Sequence, residues 1–109
     1  MTPQDTAFKM EQLIGALTKE GKRSEGLIEE KSMALVAYKK ERAKRTVILR
    51  ADGMPATLIK HTAEGDAAEQ EGEMSMTADT LKAHFVRMEN LRAQLNGYQS
   101  INKFLAVTS

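Results

Sequence analysis

A short run of turn-forming residues near the middle of the chain most constrains its fold. Asp52-Gly53 is followed by Pro55, which is the only proline after position 3. Glycine tolerates the left-handed conformation that ends many helices, and proline suits the start of the next one. Residues 51–65 therefore predict a corner that carries a short helical turn, with Leu58 and Ile59 as its apolar face, between two long helices.

The run before this corner predicts a first helix over residues 5–50. Thr2 is a suitable N-cap, Pro3 suits the first helical position, and Asp5 lies near the positive end of the helix dipole. The apolar residues that follow at helical spacing include Phe8, Leu13, Ile14, Leu17, Leu27, Ile28, Ala34, Leu35 and Tyr38.

Two glycines weaken this first helix. Gly21 and Gly26 flank a Lys-Arg-Ser-Glu segment, and each costs about 1 kcal/mol relative to alanine in a helix interior. The sequence leaves two forms open, one continuous helix or two pieces that meet at 21–26.

A second helix is expected over residues 66–104, after Gly65 closes the corner. Asp66-Ala67-Ala68-Glu69 has the spacing of a capping box, with an acidic residue at both ends. Asn96-Gly97 is a turn signal inside the run, and we expect the helix to pass through it, with an end there as the alternative. The chain, 1–109, is thus predicted to be a single all-α domain, a long antiparallel, coiled-coil-like helical hairpin.

The second helix carries an apolar seam. Its residues alternate in steps of three and four, which is the 3.5-residue period of coiled coils. The seam comprises Leu81, His84, Met88, Leu91, Leu95 and Tyr98, and Phe85 widens it. It can pack within the chain or against another chain. Because one hairpin leaves a second apolar side exposed, we expect both, and two hairpins in a four-helix bundle as a dimer or tetramer.

Charge is unevenly distributed although the net charge is only +1. Residues 39–50 hold six basic and one acidic residue, and residues 51–73 hold one basic and six acidic residues. The basic residues Lys39, Lys40, Arg42, Lys44 and Arg45 are candidates for nucleic-acid contact. The alternative, which we favour, is a solvated helix face that pairs with the acidic block at 64–73 across the hairpin.

The residue inventory offers little for catalysis or metal binding. Cysteine is absent, which excludes disulfides and thiolate ligands. His61 has Glu64 three residues later, a spacing too common to indicate a metal site, and His84 is expected to pack in the seam. We therefore expect no cofactor, no metal and no enzymatic activity. Met74, Met76 and Met88 are expected to fill helix interfaces.

The corner resembles a family. Residues 49–60 (Leu-Arg-Ala-Asp-Gly-Met-Pro-Ala-Thr-Leu-Ile-Lys) and the later Gly65-Asp66 are similar to small uncharacterised proteins of bacteriophages and prophages with a Leu-Arg-acidic-Gly-x-Pro corner. The resemblance spans about residues 30–105. The second helix of this chain departs from the family pattern, because Gly72 and a Met/Ser/Thr run replace a more regular helical stretch.

The resemblance implies a setting among phage replication and recombination functions, in the cytoplasm of a bacterial host. We expect a non-enzymatic assembly or adaptor module that acts through helix–helix association, with itself or with a phage protein. The alternative is a nucleic-acid-binding accessory protein in phage replication or recombination. We expect no membrane segment, because the apolar runs are short.

Overall fold

The chain is helical almost throughout. A computed structural model describes residues 1–108, and that part of the chain contains three α-helices and no strand. These are α1 (Pro3–Ala51), α2 (Ala56–Asp66) and α3 (Ala68–Thr108). The predicted all-α hairpin with a short helix at its corner is confirmed.

The start of α1 is fixed by reciprocal hydrogen bonds between Thr2 and Asp5. The Asp5 backbone N–H donates to Thr2 Oγ1 at 3.1 Å, and the Thr2 N–H donates to Asp5 Oδ2 at 3.1 Å. This arrangement is a capping box that satisfies two backbone donors at once. These hydrogen bonds hold the pKa of Asp5 below its ordinary value, because they favour the ionised carboxylate.

α1 continues without a break through Gly21 and Gly26. An added Cβ at either glycine meets no atom within 4 Å, so no close approach requires a glycine there. Of the two forms that the sequence left open, the structure has the single continuous helix.

The end of α1 is a Schellman motif. Gly53 has a φ of 80°, its N–H donates to Arg50 O at 3.1 Å, and the Met54 N–H donates to Leu49 O at 3.1 Å. These are the two hydrogen bonds that satisfy the last carbonyls of a helix when a left-handed residue follows it. The predicted corner at Asp52-Gly53 is therefore where the chain reverses.

The junction after α2 differs from the prediction. Gly65 and Asp66 are helical rather than a closing turn and a cap, and only Ala67 separates α2 from α3. The Ala67 N–H donates to Ala63 O at 3.1 Å, and Ala67 O accepts from the Glu71 N–H at 3.0 Å. Hydrogen bonding thus continues through the junction, which leaves a one-residue irregularity instead of a new helix start.

The chain divides into two compact units. The terminal unit contains Met1–Gly26 and the chain from residue 82 onwards, and the corner unit contains Leu27–Leu81. In the terminal unit, buried and half-buried positions on both helices alternate in steps of three and four. On α1 this series is Thr6, Met10, Leu13, Leu17, Glu20 and Ser24, and on α3 it is His84, Met88, Leu91, Leu95 and Tyr98, while Ala16 and Leu105 are also half-buried.

The corner unit has small residues where its elements pack most tightly. Ala63 and Ala67 are completely buried, and Ala34 and Ile59 are nearly so. Alanine lets helix backbones approach closely, because its side chain is one methyl group. The most buried positions of the corner unit are therefore mainly alanines, whereas the terminal unit has a mixed apolar and polar seam.

Candidate functional site

A buried polar network lies inside the terminal unit. His84 Nδ1 is 3.0 Å from Glu20 Oε2, and His84 Nε2 is 2.7 Å from Ser24 Oγ. Arg87 donates to the other carboxylate oxygen, Glu20 Oε1, at 3.2 Å, and Arg23 donates to Oε2 at 3.1 Å. The side chains of Glu20 and His84 are 8% and 2% exposed, so both are removed from water and satisfied by partners.

The charge of Glu20 is held by its neighbours. Burial alone raises the pKa of a carboxyl group. Hydrogen bonds from Arg87 and His84, together with the positive charges of Arg23 and Arg87, outweigh burial, so the pKa of Glu20 lies below its ordinary value. An ionised carboxylate only accepts hydrogen bonds. The imidazole Nδ1–H therefore donates to Glu20 Oε2, and Nε2 shares a hydrogen bond with the Ser24 hydroxyl.

Helical spacing explains how these groups meet. Glu20 and Ser24 are one turn apart on α1, so they lie on the same face. Glu20 follows Leu13 by seven residues, and Ser24 follows Leu17 by seven, which places both on the buried stripe. The apolar pattern of the sequence does not include Glu20 or Ser24, because both side chains are polar. The heptad spacing was the signal that would have identified them.

The order Ser24–His84–Glu20 has the connectivity of a hydroxyl–imidazole–carboxylate relay. In acyl transfer such a relay also needs free N–H donors that stabilise an oxyanion beside the nucleophile. Ser24 lies in the interior of α1, where each backbone N–H is committed to the carbonyl four residues earlier. The network is better suited to fixing how α1 and α3 align, as buried polar groups do in coiled coils.

All but one of the predicted seam residues are buried or half-buried. Leu81, His84, Met88 and Leu91 are buried, and Leu95 and Tyr98 are half-buried. Phe85 is 43% exposed, and its ring centroid lies 5.4 Å from that of His84. The buried seam positions of the terminal unit are already covered within the chain.

The second histidine, His61, lies on the surface. Its side chain is 83% exposed, and its Nδ1 is 3.9 Å from Glu64 Oε2. In residues 1–108, no group of three or more histidine or acidic side chains is arranged to hold a metal ion. The contact of His61 with Glu64 is long and exposed, whereas His84 is held by two short hydrogen bonds in the buried network.

The residues predicted to contact nucleic acid lie on the part of α1 that belongs to the corner unit. Lys39, Lys40, Arg42 and Lys44 are exposed, and Arg45 is half-buried. Arg45 Nε donates to Glu41 Oε1 at 3.0 Å, and the Arg42 guanidinium carbon lies 5.3 Å from the centre of the Tyr38 ring. Within the described chain, no ion pair joins this block to residues 64–73, so the ion pairing across the hairpin favoured above is not seen.

Two concave surfaces lie in the corner unit. The first, of about 390 Å³, is formed by α1 alone and is lined by Ser32, Met33, Val36, Ala37 and Lys40. The second, of about 500 Å³, is lined by Arg42, Thr46, Arg50, Ala56, Ile59, Lys60 and Glu64. We call them the apolar groove and the basic concavity. The first is lined mainly by apolar side chains, and the second carries three cations and one carboxylate.

Among the described helices, none has a stretch both long enough and apolar enough to cross a membrane. No family model matches the chain, and neither the curated proteins nor the solved structures include one with significant similarity to it.

Proposed function

We propose that this chain is a non-enzymatic assembly or adaptor module of the phage or prophage type, which acts through association of helices with a second copy of itself. The observation that carries the proposal is the apolar groove. Met33 is 64% exposed and Val36 is 48% exposed, although both lie on a long, regular helix of the corner unit. The resemblance of the corner to small phage proteins supplies the biological setting, in the cytoplasm of a bacterial host.

The groove lies outside the intrachain seam. On α1 of the corner unit, Ala34 and the half-buried Tyr38 lie on the inward stripe, whereas Met33 and Val36, three residues apart, lie together on an exposed face outside it. Two apolar side chains of this size each release about 1.5–3 kcal/mol when fully buried. A single amphipathic face of this kind is suited to packing against another helix.

Charge favours a second copy as the occupant. Lys40 borders the groove, and further along the same unit the residues Glu69, Glu71 and Glu73 are exposed. A two-fold symmetric interface brings the same surface from both copies together. The basic block of each copy is then able to meet the acidic block of its partner, which supplies the opposite charges that the described chain does not pair internally.

The non-enzymatic part of the proposal rests on the polar network. It joins α1 to α3 through His84 and leaves no free backbone donors beside Ser24. Its groups stabilise one alignment of the two helices, and a scaffold needs a fixed surface more than it needs a reactive one.

Light scattering coupled to size-exclusion chromatography tests the proposal. We expect a dimer or tetramer for the natural sequence and a monomer for the double variant Met33→Glu/Val36→Glu, which places charge in the groove. The matched control is Phe8→Glu/Ile14→Glu, which makes the same kind of change at exposed apolar positions of the terminal unit. The control is expected to stay oligomeric.

High salt adds a second readout, because it screens exposed charges. Partial dissociation at high salt is expected if the two charge blocks pair between copies. A folded natural chain that remains monomeric throughout the micromolar range would overturn the proposal. So would an oligomer that the groove variant leaves intact.

A further inference from the structure

The basic concavity has a regular construction. Arg42, Thr46 and Arg50 follow one another at four-residue intervals on α1, and Ala56, Lys60 and Glu64 do the same on α2. Residues at this spacing form a ridge on one helix face. Two ridges, one on each helix, therefore enclose the concavity, with the buried Ile59 at its floor.

The charges in the concavity are unbalanced. Three cations line it against one carboxylate, Glu64. Within residues 1–108, Arg42, Arg50 and Lys60 take part in no ion pair, and Glu64 lies near His61 instead. Like charges that share one surface repel each other. A bound anion would offset this repulsion.

The chemistry of the lining selects the anion. Arginine presents a planar set of N–H donors that matches phosphate oxygens, and lysine adds a point charge. The Thr46 hydroxyl donates to Arg42 O at 2.9 Å, so the donors toward a ligand are the three cationic side chains. Arg42 also lies over the Tyr38 ring, which restricts the orientation of its guanidinium group.

We infer that the basic concavity binds phosphate groups of a nucleic-acid strand. The site goes beyond the proposed assembly function, because it uses a different surface of the corner unit from the apolar groove. A strand is favoured over a single free phosphate because the exposed Lys39, three residues before Arg42 on the same helix face, extends the positive surface along α1 beyond the concavity. Each phosphate neutralised there releases counterions and adds salt-dependent affinity.

Fluorescence anisotropy with labelled single-stranded and duplex oligonucleotides of several lengths tests this inference at low salt. The test variant is Arg50→Gln/Lys60→Gln. We expect it to weaken binding about tenfold, since a hydrogen bond to a charged group contributes on this scale. The slope of log affinity against log salt concentration should also become shallower for this variant, by about 0.7 for each single-strand phosphate contact removed.

Two matched variants locate the site. Lys22→Gln/Lys31→Gln removes the same charge from exposed positions of α1 and is expected to change affinity by less than about twofold. Lys39→Gln/Lys44→Gln removes the same charge from the basic block of α1 outside the concavity and is expected to weaken binding less than the concavity variant. Equal losses in all three variants would show delocalised charge attraction and overturn the inference.

Inorganic pyrophosphate separates a strand from a free phosphate ligand. Affinity that rises with oligonucleotide length, with weak competition from pyrophosphate, supports the strand. Saturable pyrophosphate binding that Arg50→Gln/Lys60→Gln abolishes, without binding to any oligonucleotide, would overturn it. Light scattering on the same variant is expected to show an unchanged oligomer, so failure of this site and failure of the assembly proposal are distinguishable.

Discussion

His84 Nδ1 lies 3.0 Å from Glu20 Oε2, and both side chains are more than nine-tenths buried in the terminal unit. The pair joins α1 to α3 at one point of an otherwise mainly apolar seam. A buried polar pair is satisfied only when its two helices are aligned so that its members meet. The contact therefore favours one alignment of α1 with α3 over alignments shifted by a helical turn.

Removing the imidazole of His84 should destabilise the fold. His84→Ala leaves a gap in the seam and removes one partner each from Glu20 and Ser24, so we expect a loss of about 2–3 kcal/mol in the free energy of unfolding. His61→Ala is the matched control, because His61 is exposed, and its effect is expected to stay within about 0.5 kcal/mol. Urea denaturation measures both. Equal losses of unfolding free energy in the two variants would mean that the buried polar network does not stabilise the fold.

Stability should also depend on pH through Glu20. Its pKa is lower in the folded chain than its ordinary value of 4.5, so its stabilisation is complete above that value and is lost as the pH falls through the lower, folded pKa. Asp5 acts in the same direction. The melting temperature is therefore expected to fall on acidification below about pH 4.5.

Glu20→Gln isolates that contribution. The variant is expected to melt at a lower temperature than the natural chain at neutral pH, with a smaller further decline in acid. Glu89→Gln, at an exposed position on α3, makes the same change in charge and should leave the acid decline as steep as in the natural chain. If the melting temperatures of Glu20→Gln and of the natural chain declined equally from neutral pH into acid, the prediction would be contradicted.

The part of the fold that was predictable is the part set by local chemistry. Asp52-Gly53 specified the reversal because a left-handed residue is needed there, and Thr2 specified the start of α1. Gly65-Asp66 misled the prediction, because the packing of Ala63 and Ala67 in the corner unit keeps the junction helical. A local turn signal does not include that tertiary contribution.

The site was less predictable than the fold, because its residues are polar. Leu13 and Leu17 mark the buried stripe, but Glu20 and Ser24 continue it with side chains that sequence patterns assign to the surface. Phe8 belongs to the apolar pattern of the sequence, but its side chain is 58% exposed in the structure. Which polar residue is buried depends on its partner on the other helix, and His84 is 60 residues from Ser24 in the chain.

Close packing at the junction predicts a steric effect. Ala67 is completely buried, whereas the next residue, Ala68, is exposed. Ala67→Leu is expected to cost about 1–3 kcal/mol of unfolding free energy, because extra methylene groups force the surrounding elements apart. Ala68→Leu adds the same volume toward solvent and should change stability by less than about 0.5 kcal/mol. Comparable losses in both variants, measured by urea denaturation, would contradict tight packing at Ala67.

Two glycines provide the last test, because they differ in backbone conformation but not in surroundings. An added Cβ meets no atom within 4 Å at either Gly53 or Gly72, but Gly53 has a φ of 80° and Gly72 is helical. Gly53→Ala is expected to lower the free energy of unfolding by about 1–2 kcal/mol, because an L-residue is strained in the left-handed region. Gly72→Ala is expected to raise it by about 1 kcal/mol through helix propensity. The melting temperature should therefore fall for Gly53→Ala and rise for Gly72→Ala, although the chemical change is the same. A change of the same sign in both variants would mean that the reversal at Gly53 does not depend on its left-handed backbone.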